Sequence, residues 1–224
     1  MEFLTRDTEF FRVEFTEADS DILGRVCAEL DDTYERVIRS FGLKKETERF
    51  LFCLCPDAES YKQRARIPDE AYQEWMVGNT SYEDRRVCLL SPRAVRDRDF
   101  ESMMKVLRHE VVHLSFDQLN NPEDVGIVIA EGIAVALAEQ VNVACLDKEH
   151  CPPIRLLQDE AYFYDNDGYD HSGAYVLFFL KKYGNEAFKK VYASPESLQA
   201  YVHDGFEEEA VASLIREVQG NQRG

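Results

Sequence analysis

The run His109-Glu110-Val111-Val112-His113 constrains this chain more than any other feature, because its spacing is useful on an α-helix. At about 100° and about 1.5 Å per residue, positions four apart lie about 40° from each other around a helix and about 6 Å apart along it. Both imidazoles can then reach one metal ion, while Glu110, beside that face, can address a water there. The flanking sequence agrees with a helix. Met103, Val106, Leu107, Val111 and Leu114 recur at intervals of three and four. Ser91-Pro92 and the polar run Arg93 to Arg98 supply a loop ahead, and Asn120-Asn121-Pro122 supplies a turn behind. The bland alternative, a surface helix bearing two unrelated histidines, does not account for that coherence. Glu131, eighteen residues after His113 in a second helical pattern, is the candidate for a third ligand.

With 224 residues the chain suits one good core and is short for two independent domains. Its 45% hydrophobic content and 12% aromatics mark a globular chain. A formal charge of −17 argues against nucleic acid or an anionic membrane surface as partner, since both require a basic face. The start, Met1-Glu2-Phe3-Leu4-Thr5-Arg6, lacks the basic and apolar regions of a secretory signal. No apolar stretch approaches the roughly 20 residues of a membrane span. Cys27, Cys53, Cys55, Cys88, Cys145 and Cys151 show no CxxC spacing, and a reduced, cytoplasmic setting is expected. Cys53 and Cys55, one residue apart in a strand-like run, read as small core residues.

Along the chain, residues 9–15, 49–55 and 85–90 read as strands. Helices are expected over about 17–41, stopping at Gly42, and from Asp57 to about Ala65. After Pro122 helical periodicity dominates, over about 123–141, 171–183, 185–193 and 205–219. The expected class is α+β. A small mixed sheet with helices comes first, then the helix bearing the histidines, then a mainly helical lobe. Residues 1–224 form one domain in this reading, with lobes of about 1–119 and 120–224.

Several segments together carry a family likeness: Trp75-Met76-Val77-Gly78, the HEVVH run, Ala130-Glu131-Gly132-Ile133-Ala134, and the stretch from Tyr169 through His171 to Gly184. The chain resembles gluzincin zinc metallopeptidases, specifically the small peptidase-MA-like proteins related to the zinc aminopeptidases. The resemblance implies a zincin-like fold and one zinc per chain, held by His109, His113 and Glu131. It implies a peptide or protein substrate and hydrolysis by a metal-activated water, with Glu110 as general base. Charge developing on the carbonyl oxygen calls for a neutral donor. By its offset from Gly184 in the resemblance that donor is Tyr169, with His171 the runner-up. The GxMEN-type motif that holds a free amine in the aminopeptidase branch has no match in the stretch from Gly78 to Arg86, and Ile127 stands where the thermolysin-like branch has asparagine. The strand at 85–90 is the expected pairing edge for an extended substrate. A non-hydrolytic zinc protein using the same cleft for recognition or regulation is the alternative.

Other positions bear weaker readings. Asp117, four after His113, is either a hydrogen-bond partner for a ligand imidazole or a solvated helix-end residue. Cys145, His150 and Cys151 form a second potential ligand group without an evident fourth member. Asp165-Asn166-Asp167-Gly168 resembles the start of a calcium loop, yet Ala174 stands where the final acidic residue belongs, so a turn is the better reading. Trp75 suits either a core or a cleft wall, and His203 is expected to face solvent.

Overall fold

The computed structural model describes residues 2–221; Met1, where the amino-terminal reading begins, and residues 222–224 lie outside it. The backbone forms two compact units, one through Ser115 and one from Phe116 onward. The protein is mixed α+β and mostly helical, with one five-stranded sheet among the described residues.

The first unit contains β1 (Leu4–Asp7), β2 (Phe11–Phe15), α1 (Leu23–Phe41), β3 (Phe50–Cys55), α2 (Ala58–Ala65), β4 (Gly78–Ser81), β5 (Arg86–Leu90) and α3 (Phe100–Phe116). The sheet order is β1-β2-β3-β5-β4. β2, β3 and β5 run parallel, and the two edge strands pair antiparallel to their neighbours. Burial explains the order. β3 and β5 are almost continuously apolar and buried, as strands covered on both faces must be. β2 alternates Phe11, Val13 and Phe15 inward with Arg12 outward. β1 and β4 are short and polar, and they stand at the edges.

Three expectations are corrected here. β1 and β4 carry no apolar alternation, so the sequence pattern passes over them. The strand at 85–90, expected as the substrate-pairing edge, is internal between β3 and β4. The helix expected from 17 opens as a 3-10 turn (Glu17–Asp19) before α1 begins at Leu23. α1 ends where the glycine predicts, with Gly42 in the left-handed region at φ 58°. Phe11, Tyr34 and Phe50 form an aromatic cluster between α1 and the sheet, and Met103, Met104, Leu107 and Val111 of α3 join the same core.

The second unit contains α4 (Pro122–Val125), α5 (Ile127–Leu137), α6 (Ile154–Leu157), α7 (Glu160–Asp165), α8 (Gly168–Tyr183), α9 (Asn185–Ala193) and α10 (Phe206–Asn221). The single helix expected over about 123–141 is split at Gly126, whose φ of 86° no α-helix tolerates. The turn expected at 165–170 is half realised. α7 ends at Asp165, Asp167 takes a left-handed φ of 49°, and α8 starts at Gly168. α5 and α8 pack at backbone distance. A Cβ on Gly132 would lie 2.8 Å from the Ser172 carbonyl oxygen, and one on Gly173 would lie 2.6 Å from Val135 Cγ1. Among the described residues no helix is long and apolar enough to cross a membrane.

Candidate functional site

The expected helix is present as α3, and it sets His109 and His113 on one face with ring centroids 4.6 Å apart. Their Nε2 atoms approach to 3.0 Å. Two ligands of a tetrahedral zinc with bonds of about 2.0–2.1 Å stand about 3.3 Å apart. The imidazole pair therefore fits a shared ion closely.

Glu110 lies beside this pair and is only 8% exposed. A buried carboxylate is costly without a donor. Thr80 of β4 supplies one. Its hydroxyl stands 2.7 Å from Glu110 Oε2 and 2.9 Å from the Glu110 main-chain oxygen, so a single proton serves both acceptors. Two residues earlier on the same strand face, Gly78 leaves the space the carboxylate occupies. A Cβ there would fall 2.6 Å from Glu110 Oε1 and 2.8 Å from Val106 Cγ1. Tyr61 of α2, fully buried, donates its hydroxyl to the Gly78 carbonyl at 2.7 Å and anchors the strand. Burial, and then the nearby charge of Glu110, raise the Tyr61 pKa, so its phenol stays protonated and remains a donor.

In the second unit, Glu131 sits half-buried on α5 beside Gly132, the contact point with α8. Tyr169 lies in the first turn of α8, on the stripe shared with Ser172, Gly173 and Val176 that faces α5. It is half-buried rather than the exposed loop residue that its acidic surroundings suggest, and its ring packs on Phe163 with centroids 5.0 Å apart. Tyr164 completes the group. Burial raises its pKa, a hydrogen bond with Tyr169 opposes that shift, and the charges of Glu160 and Glu131 add to it. The Tyr164 and Tyr169 rings stand with centroids 6.1 Å apart. His171 is two residues from Tyr169, about 200° around the helix. It is buried against Tyr175 and lines a depression with Cys145 and Asp167.

Asp117 follows the end of α3 and accepts a hydrogen bond from the Tyr192 hydroxyl at 3.3 Å. Desolvation, then Asp117 and Glu131, raise the Tyr192 pKa and keep it a donor. Trp75 is 55% exposed, which removes its core reading. His203 faces solvent as expected, 3.0 Å from Lys182 Nζ. Cys53 and Cys55 are fully buried core residues, and the cysteines form no disulfide.

Thr80, Tyr61 and Tyr164 escape the sequence reading. A polar strand has no periodic signature, and the contacts of Thr80 and Glu110 span thirty residues. Gly78 alone left a signal, as the last residue of the Trp75–Gly78 segment. No protein-family profile matches this chain, and no curated protein matches it.

Proposed function

We propose that this protein is a zinc-dependent peptidase of zincin-like fold, with one zinc per chain held by His109, His113 and Glu131. The observation that carries the reading is the pair of Nε2 atoms 3.0 Å apart on α3, with the buried Glu110 carboxylate fixed beside them by Thr80. A merely structural metal site has no use for such a carboxylate. Bound there, zinc would supply Lewis acidity, activating a water and polarising the scissile carbonyl.

The chain's own residues do the rest. Glu110 accepts a proton from the attacking water at its carboxylate and returns it to the departing amine. Thr80 holds that carboxylate in one orientation, and Gly78 keeps its place clear. Tyr169, a neutral phenol on the α5-facing side of α8, donates to the developing oxyanion. A peptide substrate is supported by β4, which among the described residues pairs on one side only, with β5, and whose Gly78 and Thr80 lie against Glu110. An extended backbone can add to that edge.

The test compares wild type with Glu110→Gln and His113→Ala, all purified without affinity-tag metals. Metal analysis should find about one zinc in wild type and Glu110→Gln, and its loss in His113→Ala. Glu110→Gln should lower turnover of a peptide library by about 10²–10⁴-fold. Cleavage by that variant at the wild-type rate would remove Glu110 as the base. Stoichiometric zinc with no turnover by any protein would favour the recognition role.

A further inference from the structure

The register of β4 decides which of its main-chain groups face away from the sheet. Gly78, Asn79, Thr80 and Ser81 stand opposite Leu89, Cys88, Val87 and Arg86 of β5. One residue before the strand, Val77 O accepts from Leu90 N at 2.8 Å. Antiparallel pairs alternate between those that exchange hydrogen bonds and those that do not. Val77, Asn79 and Ser81 therefore turn their main chain toward β5. Gly78 and Thr80 turn theirs to the other side, where among the described residues no strand pairs.

The two outward residues are not equivalent. The Gly78 carbonyl already accepts from the Tyr61 hydroxyl at 2.7 Å. A carbonyl oxygen has two lone pairs, so one bond alone does not close it. Tyr61, however, is fully buried and packs on Tyr72 with ring centroids 6.3 Å apart. Its hydroxyl cannot turn to water instead, so an incoming N–H would have to compete with a bond that is costly to give up. Thr80 is the opposite case. Its side-chain hydroxyl is turned to Glu110, 2.7 Å from Oε2, while its main-chain N–H and C=O face the edge side by side.

Resting on the peptidase reading above, we propose that β4 takes an extended peptide through both main-chain groups of Thr80 but only the N–H of Gly78, so that its substrates are peptides that carry proline opposite Gly78. A peptide added to a sheet edge is read by its main-chain bonds and by the side chains that alternate between the faces. At most positions proline costs such a strand one ladder bond, because it has no N–H to give. Opposite Gly78 that bond is already made by Tyr61, so the cost falls away. The fixed φ of proline also leaves less chain entropy to lose on ordering. The residue opposite Thr80, two positions along the peptide, has no such freedom and must supply both an N–H and a carbonyl. Pairing there sets the substrate main chain against the residue whose hydroxyl holds Glu110.

The test reads binding, so that it does not depend on hydrolysis. Trp75, the one tryptophan of the chain, is exposed three residues before β4 and serves as the fluorescent reporter. Zinc-loaded Glu110→Gln selects the tightest-binding member of an extended-peptide library, and each residue of that peptide is then exchanged in turn for its N-methyl form. One exchange should weaken binding by about tenfold or more, and the exchange two residues away by less than about twofold, with proline equally accepted there. Adding Tyr61→Phe should open the Gly78 carbonyl, so that the N–H form binds several-fold tighter than the N-methyl form at that position alone. Circular dichroism verifies folding, and the scan with Tyr61 intact decides the register even where Tyr61→Phe does not fold. Equal penalties at the two positions, no binding by any peptide, or unchanged selectivity in folded Tyr61→Phe would each overturn the proposal. The expected scan beside a wild type that hydrolyses none of these peptides would remove the peptidase reading and leave the pairing at β4 standing.

Discussion

Thr80 is a side-chain donor to Glu110, and in the proposed peptidase it is the position where catalysis and fold can be separated. Valine keeps the shape of threonine and removes its proton. A hydrogen bond to a charged group contributes about 1.5–3 kcal/mol, so Thr80→Val should lower kcat by roughly 10–150-fold if the bond serves to orient the base. KM and zinc content should stay near wild type, and Thr80→Ser should restore most of the rate. Equal rates in Thr80→Val and wild type would make the bond a packing detail. Tyr169 invites a similar comparison. Loss of one oxyanion donor costs about 2.7–4 kcal/mol, so Tyr169→Phe should cut kcat by about 10²–10³-fold with little change in KM. His171→Ala should leave kcat nearly intact, because His171 lies on another side of α8. A crippled His171→Ala beside an active Tyr169→Phe would reverse the two roles.

At the scale of elements, glycines decide which surfaces meet. Gly78 has no positive φ, so glycine is required there by space alone. Gly78→Ala places a methyl group 2.6 Å from Glu110 Oε1 and should displace the carboxylate or β4. Activity should fall at least tenfold, with about 1–3 kcal/mol of stability lost to overpacking, read from urea midpoints. Unchanged activity would show that β4 yields without moving Glu110. Gly132 and Gly173 play the corresponding part between α5 and α8, where Ser172 O and Val135 Cγ1 occupy the space a methyl would need. Helices α1, α3 and α9 were legible because each carries apolar residues at helical spacing. β1 and β4 were not, because an edge strand exposes polar groups and holds its place through hydrogen bonds to a neighbour remote in sequence.

For the whole molecule, the proposed peptidase activity makes a prediction about which peptide bonds the site accepts. No GxMEN-like carboxylate is visible to hold a free amine, so acetylated and free peptides should be cleaved at comparable rates, at interior bonds. Mass spectrometry of the products checks this. Strict release of single amino-terminal residues would assign amine binding to another acidic group, Glu83 being the nearest in sequence to β4. Sequence alone determined the α3 helix, its two histidines on one face and the carboxylate between them, because helical spacing is a local property that four consecutive bonds enforce. It also determined the mixed α+β class, through the contrast between apolar runs and helical periods. Tertiary structure decided the rest: that Thr80 and Gly78 address Glu110, that Tyr169 packs on Phe163 and Tyr164, and that Cys145 meets Asp167 and Asp170 instead of His150 and Cys151. These pairings join residues far apart in the chain. They depend on sheet order and on how closely two helix backbones approach, and no periodic pattern in a single segment encodes either.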